Sequence, residues 1–257
     1  MEIFIGLIQE SISGIALGSI YALIALGFTL IYKATEVVNF AQGELMMVGA
    51  YINFYFVTTF LAQSGEPTIG VFFLAFAGSI IFSFVFGWVL DWVINRPLKD
   101  EPIFSVIMAT ISLSIILRAL VAIIAGPMSL IPYSPFGNRV LSLNGIIISA
   151  LDLSIIFSAI VLVTIFYYFF NKTKWGIAMQ ATSEDPVAAQ LMGIPVKRVY
   201  GLVWIFSALV ATISGILLAP RMSLLDTSMG FLGLKAFPAA VLGGFGSIEI
   251  GRASWRE

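Results

Sequence analysis

The chain has no cysteine and no histidine, and Lys, Arg, Asp and Glu supply only 11% of its 257 residues. Without thiols there are no disulfides and no Cys nucleophiles. Without imidazoles, His-based triads and nearly all zinc sites disappear as well. No phosphate-cradling GxxxxGK[ST] loop occurs anywhere in the sequence. No catalytic residues, no metal site and no cofactor bound by this chain are therefore expected. The formal net charge of −1, from 13 basic and 14 acidic residues, gives no electrostatic footprint for nucleic acid.

What the chain has in excess is apolar surface. Hydrophobic residues make up 60% of it, including 22 Phe, and the mean hydropathy is +1.03. A globular core of this length does not need so much, whereas a bilayer accounts for it. Helical spans need about 20 mostly apolar residues. Runs at 11–32, 41–62, 69–94, 103–125, 147–170 and 199–219 qualify. A seventh stretch, 229–248, is interrupted by Lys235, Pro238 and Gly243–Gly244 and reads as a broken or partly inserted helix. Unbroken runs such as VFFLAFAGSIIFSFVFGWVL (71–90) lack the alternation of a membrane β-barrel. The predicted fold is an all-α polytopic transmembrane bundle, with six full spans plus the broken helix. Glu2 and Glu10 replace the basic start of a secretory signal, so the first span is expected to be retained.

Basic residues set the orientation. Lys33, then Arg96 and Lys99, then Lys172, Lys174, Lys197 and Arg198 follow spans one, three and five, while the opposite loops hold only Arg139. The loops after odd-numbered spans are therefore expected in the cytoplasm and the N-terminus outside. Small residues recur every fourth position at Gly14, Gly18 and Ala22, at Ala75, Ser79, Ser83 and Gly87, and at Ser207, Ala211 and Gly215. Such stripes let helix backbones approach closely in lipid, and bundle packing is their expected use.

The longest cytoplasmic loop, 171–198, contains SEDPVAAQLMGI (183–194). Ser183 as N-cap, Glu184 and Asp185 at the positive helix end and Pro186 in the first turn predict a short helix over Ser183–Met192. Gly193 and Pro195 stop it. Ala188, Ala189, Leu191 and Met192 give it a small, partly apolar surface. It is either a docking helix for a cytoplasmic partner or a solvated connector.

Two membrane features remain. Arg118 lies well inside the fourth span, on one helical face with Thr110, Ser114 and Ala122. It either points into the protein or snorkels outward. NFAQGE at the start of span two places Asn39, Gln42 and Glu44 near the expected cytoplasmic boundary. Structural capping or pairing with a neighbouring subunit is one use for them, and a gate in a transport pathway is the other.

Three stretches carry a family resemblance. SEDPVAAQLMGIPVKRVYGLVWIFSALVATISGIL resembles the EAA coupling loop of ABC-importer permeases, in the form found in branched-chain amino acid permeases of the LivH/LivM type. GIALGSIYALIALGFTLIYKATEVVNFAQGELMMVGAY (14–51) resembles the first two spans of the LivH branch, and LKAFPAAVLGGFGSI (234–248) its Gly-rich segment. The resemblance implies a permease subunit that is not itself an enzyme, in the cytoplasmic (inner) membrane of a bacterium. It further implies a homologous permease subunit, two cytoplasmic ATP-binding subunits carrying ATP and Mg, and an extracytoplasmic solute-binding protein as partners. Ser183, Glu184, Asp185, Ala188, Ala189 and Gly193 would then form the ATPase-coupling helix. Uptake of Leu, Ile and Val is the expected activity, with urea, short amides or other amino acids as an alternative within the class. A secondary transporter would favour paired ionisable groups at the midplane and inverted repeats; a membrane enzyme would want clustered His, Asp or Glu. The family continues past the Gly-rich segment, so residues 1–248 are expected to be an incomplete permease domain and 249–257 an atypical tail.

Overall fold

The computed structural model describes residues 2–64, 69–98, 101–126, 128–134, 139–143 and 146–243. Among them, six helices are long and apolar enough to cross a membrane: Ile5–Thr35, Gln42–Leu61, Ile69–Leu98, Ile103–Ala125, Ala150–Lys172 and Val196–Met222. All six predicted spans are present, and the chain is a multi-pass membrane protein. Residues 244–248 and the tail 249–257 lie outside the described residues.

In chain order, α1 is Glu2–Thr35, α2 Gln42–Ser64 and α3 Ile69–Leu90. Next come a π-helical turn, Asp91–Asn95, and a last short turn, α4 (Arg96–Leu98). The fourth span is α5 (Ile103–Ala125), closed by Gly126 at φ +79°. An antiparallel hairpin follows, β1 (Val140–Leu143) with β2 (Ile146–Ser149). The fifth span, α6 (Ala150–Lys172), starts three residues later than its hydropathy suggests, because residues 147–149 are spent in β2. Ser149 caps α6 by accepting a hydrogen bond from the Leu151 amide. The long loop after the fifth span folds as α7 (Lys174–Glu184) and α8 (Pro186–Leu191), and α9 (Val196–Met222) is the sixth span. The broken seventh stretch is two short helices, α10 (Met229–Lys235) and α11 (Phe237–Gly243).

The most buried span is α9, and α1, α2 and α3 pack around it. The small-residue stripes explain how. Ala75, Ser79, Ser83 and Gly87 make up most of the buried face of α3, and Ser207, Ala211 and Gly215 are buried on α9. A Cβ on Gly87 would lie 2.6 Å from the Ile205 Cα, and one on Gly215 would lie 2.2 Å from the Met46 carbonyl oxygen. Helix surfaces in lipid gain nothing by excluding water, so this backbone proximity and its dispersion contacts hold the bundle together. The stripe on α1 behaves differently. Gly14, Gly18 and Ala22 are exposed, and a Cβ at either glycine meets nothing within 4 Å. Among the described residues nothing packs against the two glycines. The outward faces of α3, α5 and α6 carry Phe73, Leu74, Ile81, Ile115, Ile123, Phe157 and Ile160, side chains suited to lipid.

Candidate functional site

The connection between the first two spans does not end at the boundary. Glu36, at φ +55°, terminates α1, and 37–41 turn back into the bundle. The Asn39 side chain accepts from the Ala41 amide at 3.0 Å, and Asn39 carbonyl accepts from the Gln42 amide at 3.2 Å. The Phe40 amide donates to Thr110 Oγ1 at 3.4 Å. Gln42 then sits beside Gly27 and Ser207, and Ser207 is eleven residues beyond the start of α9 at Val196. That separation is about 16 Å of helix at 1.5 Å per residue. So α2 starts deep beside the middle of its neighbours, which corrects the boundary placement of Asn39, Gln42 and Glu44. Hydropathy locates apolar runs but not the depth at which a helix begins.

Three contacts pin this entry. The Ser207 hydroxyl lies 2.9 Å from Gln42 Oε1 and 3.1 Å from the Gly27 carbonyl, and its one proton goes to either. A Cβ on Gly27 would fall 2.1 Å from Gln42 Nε2, so only glycine leaves room for the amide. On the other side of α2, Gly43 meets α10 backbone to backbone. A Cβ there would be 2.0 Å from the Gly230 carbonyl oxygen and 3.3 Å from the Gly233 Cα. The Gly-rich segment thus lies directly on the start of α2.

Glu44 is only 1% exposed and forms an ion pair with Arg118. The Arg118 guanidinium also lies over the Phe231 ring of α10, 3.7 Å from its centroid. Arg118 therefore points into the protein, and the snorkelling alternative is wrong. Glu44 pairs within its own chain, although among the described residues Glu44 Oε2 and Arg118 Nε have no hydrogen-bond partner. The pair joins α2 to α5 with α10 as its cover. The 37–39 turn helps line a cavity of about 190 Å³ whose walls also include Thr35, Glu101, Thr110, Tyr200 and Trp204. The structure thus brings Asn39, Gln42, Glu44 and Arg118 together around one deep turn.

The short helix after the fifth span differs from its predicted form. Ser183 is not the N-cap; it lies in the last turn of α7, and Glu184 is that helix's final residue. Asp185 is the cap of α8, its Oδ1 accepting from the Val187 and Ala188 amides at 2.9 Å each. Pro186 blocks continuation of α7, because its ring cannot follow a helical residue without a clash and its nitrogen has no proton to donate. The sequence showed an acidic pair at a helix start, but not that a separate helix already occupied the first of the two acids. Gly193, at φ +86°, ends the unit as expected. Ala189 is buried against the bundle, whereas Val187, Leu191 and Met192 are 69%, 83% and 84% exposed. Among the described residues the helix therefore keeps an exposed apolar face.

Two buried charges escaped the sequence reading. Asp91, fully buried at the end of α3, accepts from Asn95 Nδ2 at 2.8 Å and Arg96 Nε at 3.0 Å. Asp152 pairs with Arg221 at 3.3 Å, and Arg221 also reaches Ser13. Both acids sit at span ends, where a carboxylate passes for an ordinary boundary residue.

Six apolar spans among the described residues, pinned by a deep polar turn and carrying a protruding short helix, define a multi-pass membrane protein, and the comparisons with known proteins place it among transport permeases. Residues 11–250 match the family "Branched-chain amino acid transport system / permease component", and the chain belongs to that family. It is 34% identical over 247 residues to the high-affinity branched-chain amino acid transport system permease protein BraD of Pseudomonas aeruginosa, covering 94% of this chain and 80% of that one. It is 31% identical over 255 residues to LivH of Escherichia coli K12, covering 96% and 82%. It is 30% identical over 237 residues to a probable LivH permease of Methanocaldococcus jannaschii, covering 90% and 72%. No solved structure matches the chain.

Proposed function

We propose that this chain is the transmembrane subunit of an ATP-driven ABC importer that takes up branched-chain amino acids across the cytoplasmic membrane, with its N-terminus outside. It works beside a homologous permease subunit, two cytoplasmic ATP-binding subunits that carry ATP and Mg, and an extracytoplasmic solute-binding protein. The observation that carries the coupling role is the exposed apolar face of α8, presented on a helix that Asp185 caps and Gly193 terminates. A cleft of an ATPase subunit covers that face, and its movement reaches the core span α9 through the turn at 193–195. Ser183 and Glu184 form the rim of the docking unit, Ala188 leaves room for close approach, and the buried Ala189 anchors it to the bundle.

Asn39, Gln42, Glu44 and Arg118 act as the gate. The Glu44–Arg118 pair holds α2 against α5, and the glycine contact between Gly43 and Gly230 lets α10 slide without a bulky side chain catching. The relatives named for branched-chain amino acid transport, across three organisms, support that substrate class. The test is reconstitution of the chain with its four partner chains in proteoliposomes. Labelled leucine should accumulate only when ATP is supplied on the ATPase side. Uptake that persists without the ATPase subunits overturns the ABC reading, and ATP-driven uptake of urea with none of leucine overturns the substrate.

A further inference from the structure

Beside the coupling helix, the ends of α3 and α4 and the starts of α7 and α9 enclose an open groove of about 720 Å³, within the range of pockets that hold small ligands, roughly 300–1,000 Å³. Its lining includes Arg96, Lys197 and Arg198 together with Trp88 and Trp175. Among the described residues the only acid lining it is Asp91, which is buried, accepts a hydrogen bond from Asn95 and is paired with Arg96. The π-helical turn 91–95 causes this arrangement. Its extra residue per turn keeps Asp91 inward, against Gly201, while Arg96 stands half exposed at the groove. Among the described residues, Lys197 and Arg198 have no ion-pair partner. Trp88 and Trp175 are 54% and 42% exposed, as indoles are at the depth of lipid headgroups.

We infer that this groove binds the phosphate headgroup of an anionic phospholipid of the surrounding bilayer. With Arg96 paired to Asp91, Lys197 and Arg198 leave the groove two positive charges in excess, which complements a phosphodiester, and the flanking indoles match the glycerol and upper acyl region. Basic pockets between spans on the cytoplasmic side are suited to such headgroups. The lipid bridges the end of the third span, through Arg96, to the start of the sixth, through Lys197 and Arg198. Those two residues follow directly on the turn that ends the coupling helix, so a bound lipid braces its base. This bracing role rests on the coupling reading above; the binding site itself does not.

The test uses the purified permease complex in phosphatidylcholine nanodiscs, titrated with phosphatidylglycerol or cardiolipin and read by native mass spectrometry. The Lys197→Gln/Arg198→Gln variant alters two exposed side chains and leaves the Arg96–Asp91 pair intact. It should weaken retention of the anionic lipid about tenfold or more, with phosphatidylcholine retention unchanged. Headgroup binding should also quench tryptophan emission when the lipid carries a nitroxide, and less so in the variant. Equal anionic-lipid retention by variant and parent overturns the site. Displacement of the lipid by millimolar inorganic phosphate assigns the groove to a free anion, and displacement by the ATPase subunit assigns it to the protein partner; either overturns the lipid. Failure of leucine uptake in parent and variant alike would strike the transport reading while leaving the lipid comparison intact.

Discussion

Removing either member of the Glu44–Arg118 pair should destabilise the bundle, but unequally. Glu44 is 1% exposed, whereas the Arg118 side chain keeps 27% exposure and a cation–π contact with Phe231. Arg118→Met leaves a fully buried carboxylate without its cation, a change that costs about 3–5 kcal/mol. Glu44→Gln leaves a guanidinium that still stacks on Phe231 and reaches solvent. Its loss is that of a charged hydrogen bond, about 1.5–3 kcal/mol. A chain of this size shifts its Tm by about 2–4 °C per kcal/mol. Arg118→Met should therefore lower the melting point in detergent by about 6–20 °C, and Glu44→Gln by about 3–12 °C, roughly half as much. The double variant removes both charges together and should recover most of the loss, since replacing a buried pair by neutral groups is often close to neutral. Fluorescence-detected gel filtration after heating reads all three. A double variant as unstable as the sum of the singles, or Glu44→Gln worse than Arg118→Met, refutes the reasoning.

Gly43→Ala should strip α10 from α2 and sharply reduce monodisperse protein, because all three atoms it meets are backbone, while Gly14→Ala, with open space around it, should express normally; gel filtration separates the two outcomes. Asp185→Ala removes the acceptor for two α8 amides, worth about 1 kcal/mol, and should lower stimulated ATP turnover in the complex; Asp185→Asn should restore most of it. Reversing both acids, Glu184→Lys with Asp185→Lys, should lower turnover without removing the protein from the membrane, and most of that effect should follow Asp185 alone. Substituting Val187 and Leu191 by Ser should weaken co-purification of the ATPase subunits while leaving the permease assembly intact.

The spans were legible because a run of about 20 apolar residues has one stable outcome in lipid. The stripes on α3 and α9 announced their own packing, since small side chains on one face serve close approach. The stripe on α1 looked the same in sequence yet faces outward, because the spacing gives a face but not what covers it. Asp185 and Gly193 were readable from local chemistry, whereas Ser183 misled because the preceding α7 continues to Glu184. Arg118 was visible as a costly charge, but its partner lies 74 residues away, and its depth depends on the re-entrant turn before α2. That turn has no hydropathy signature. Asp91 and Asp152 stayed hidden because their burial comes from α9 and its end, which only the folded bundle supplies.

The absence of native cysteine makes one measurement decisive for the claim that α8 is the cytoplasmic point of contact with the ATPase. A single Leu191→Cys substitution, at a position 83% exposed, is labelled with an impermeant maleimide in oriented vesicles, with and without the ATPase subunits. The account predicts labelling only from the cytoplasmic side and protection once the ATPase is bound. Labelling from the opposite side, or equal labelling with the ATPase present, contradicts it.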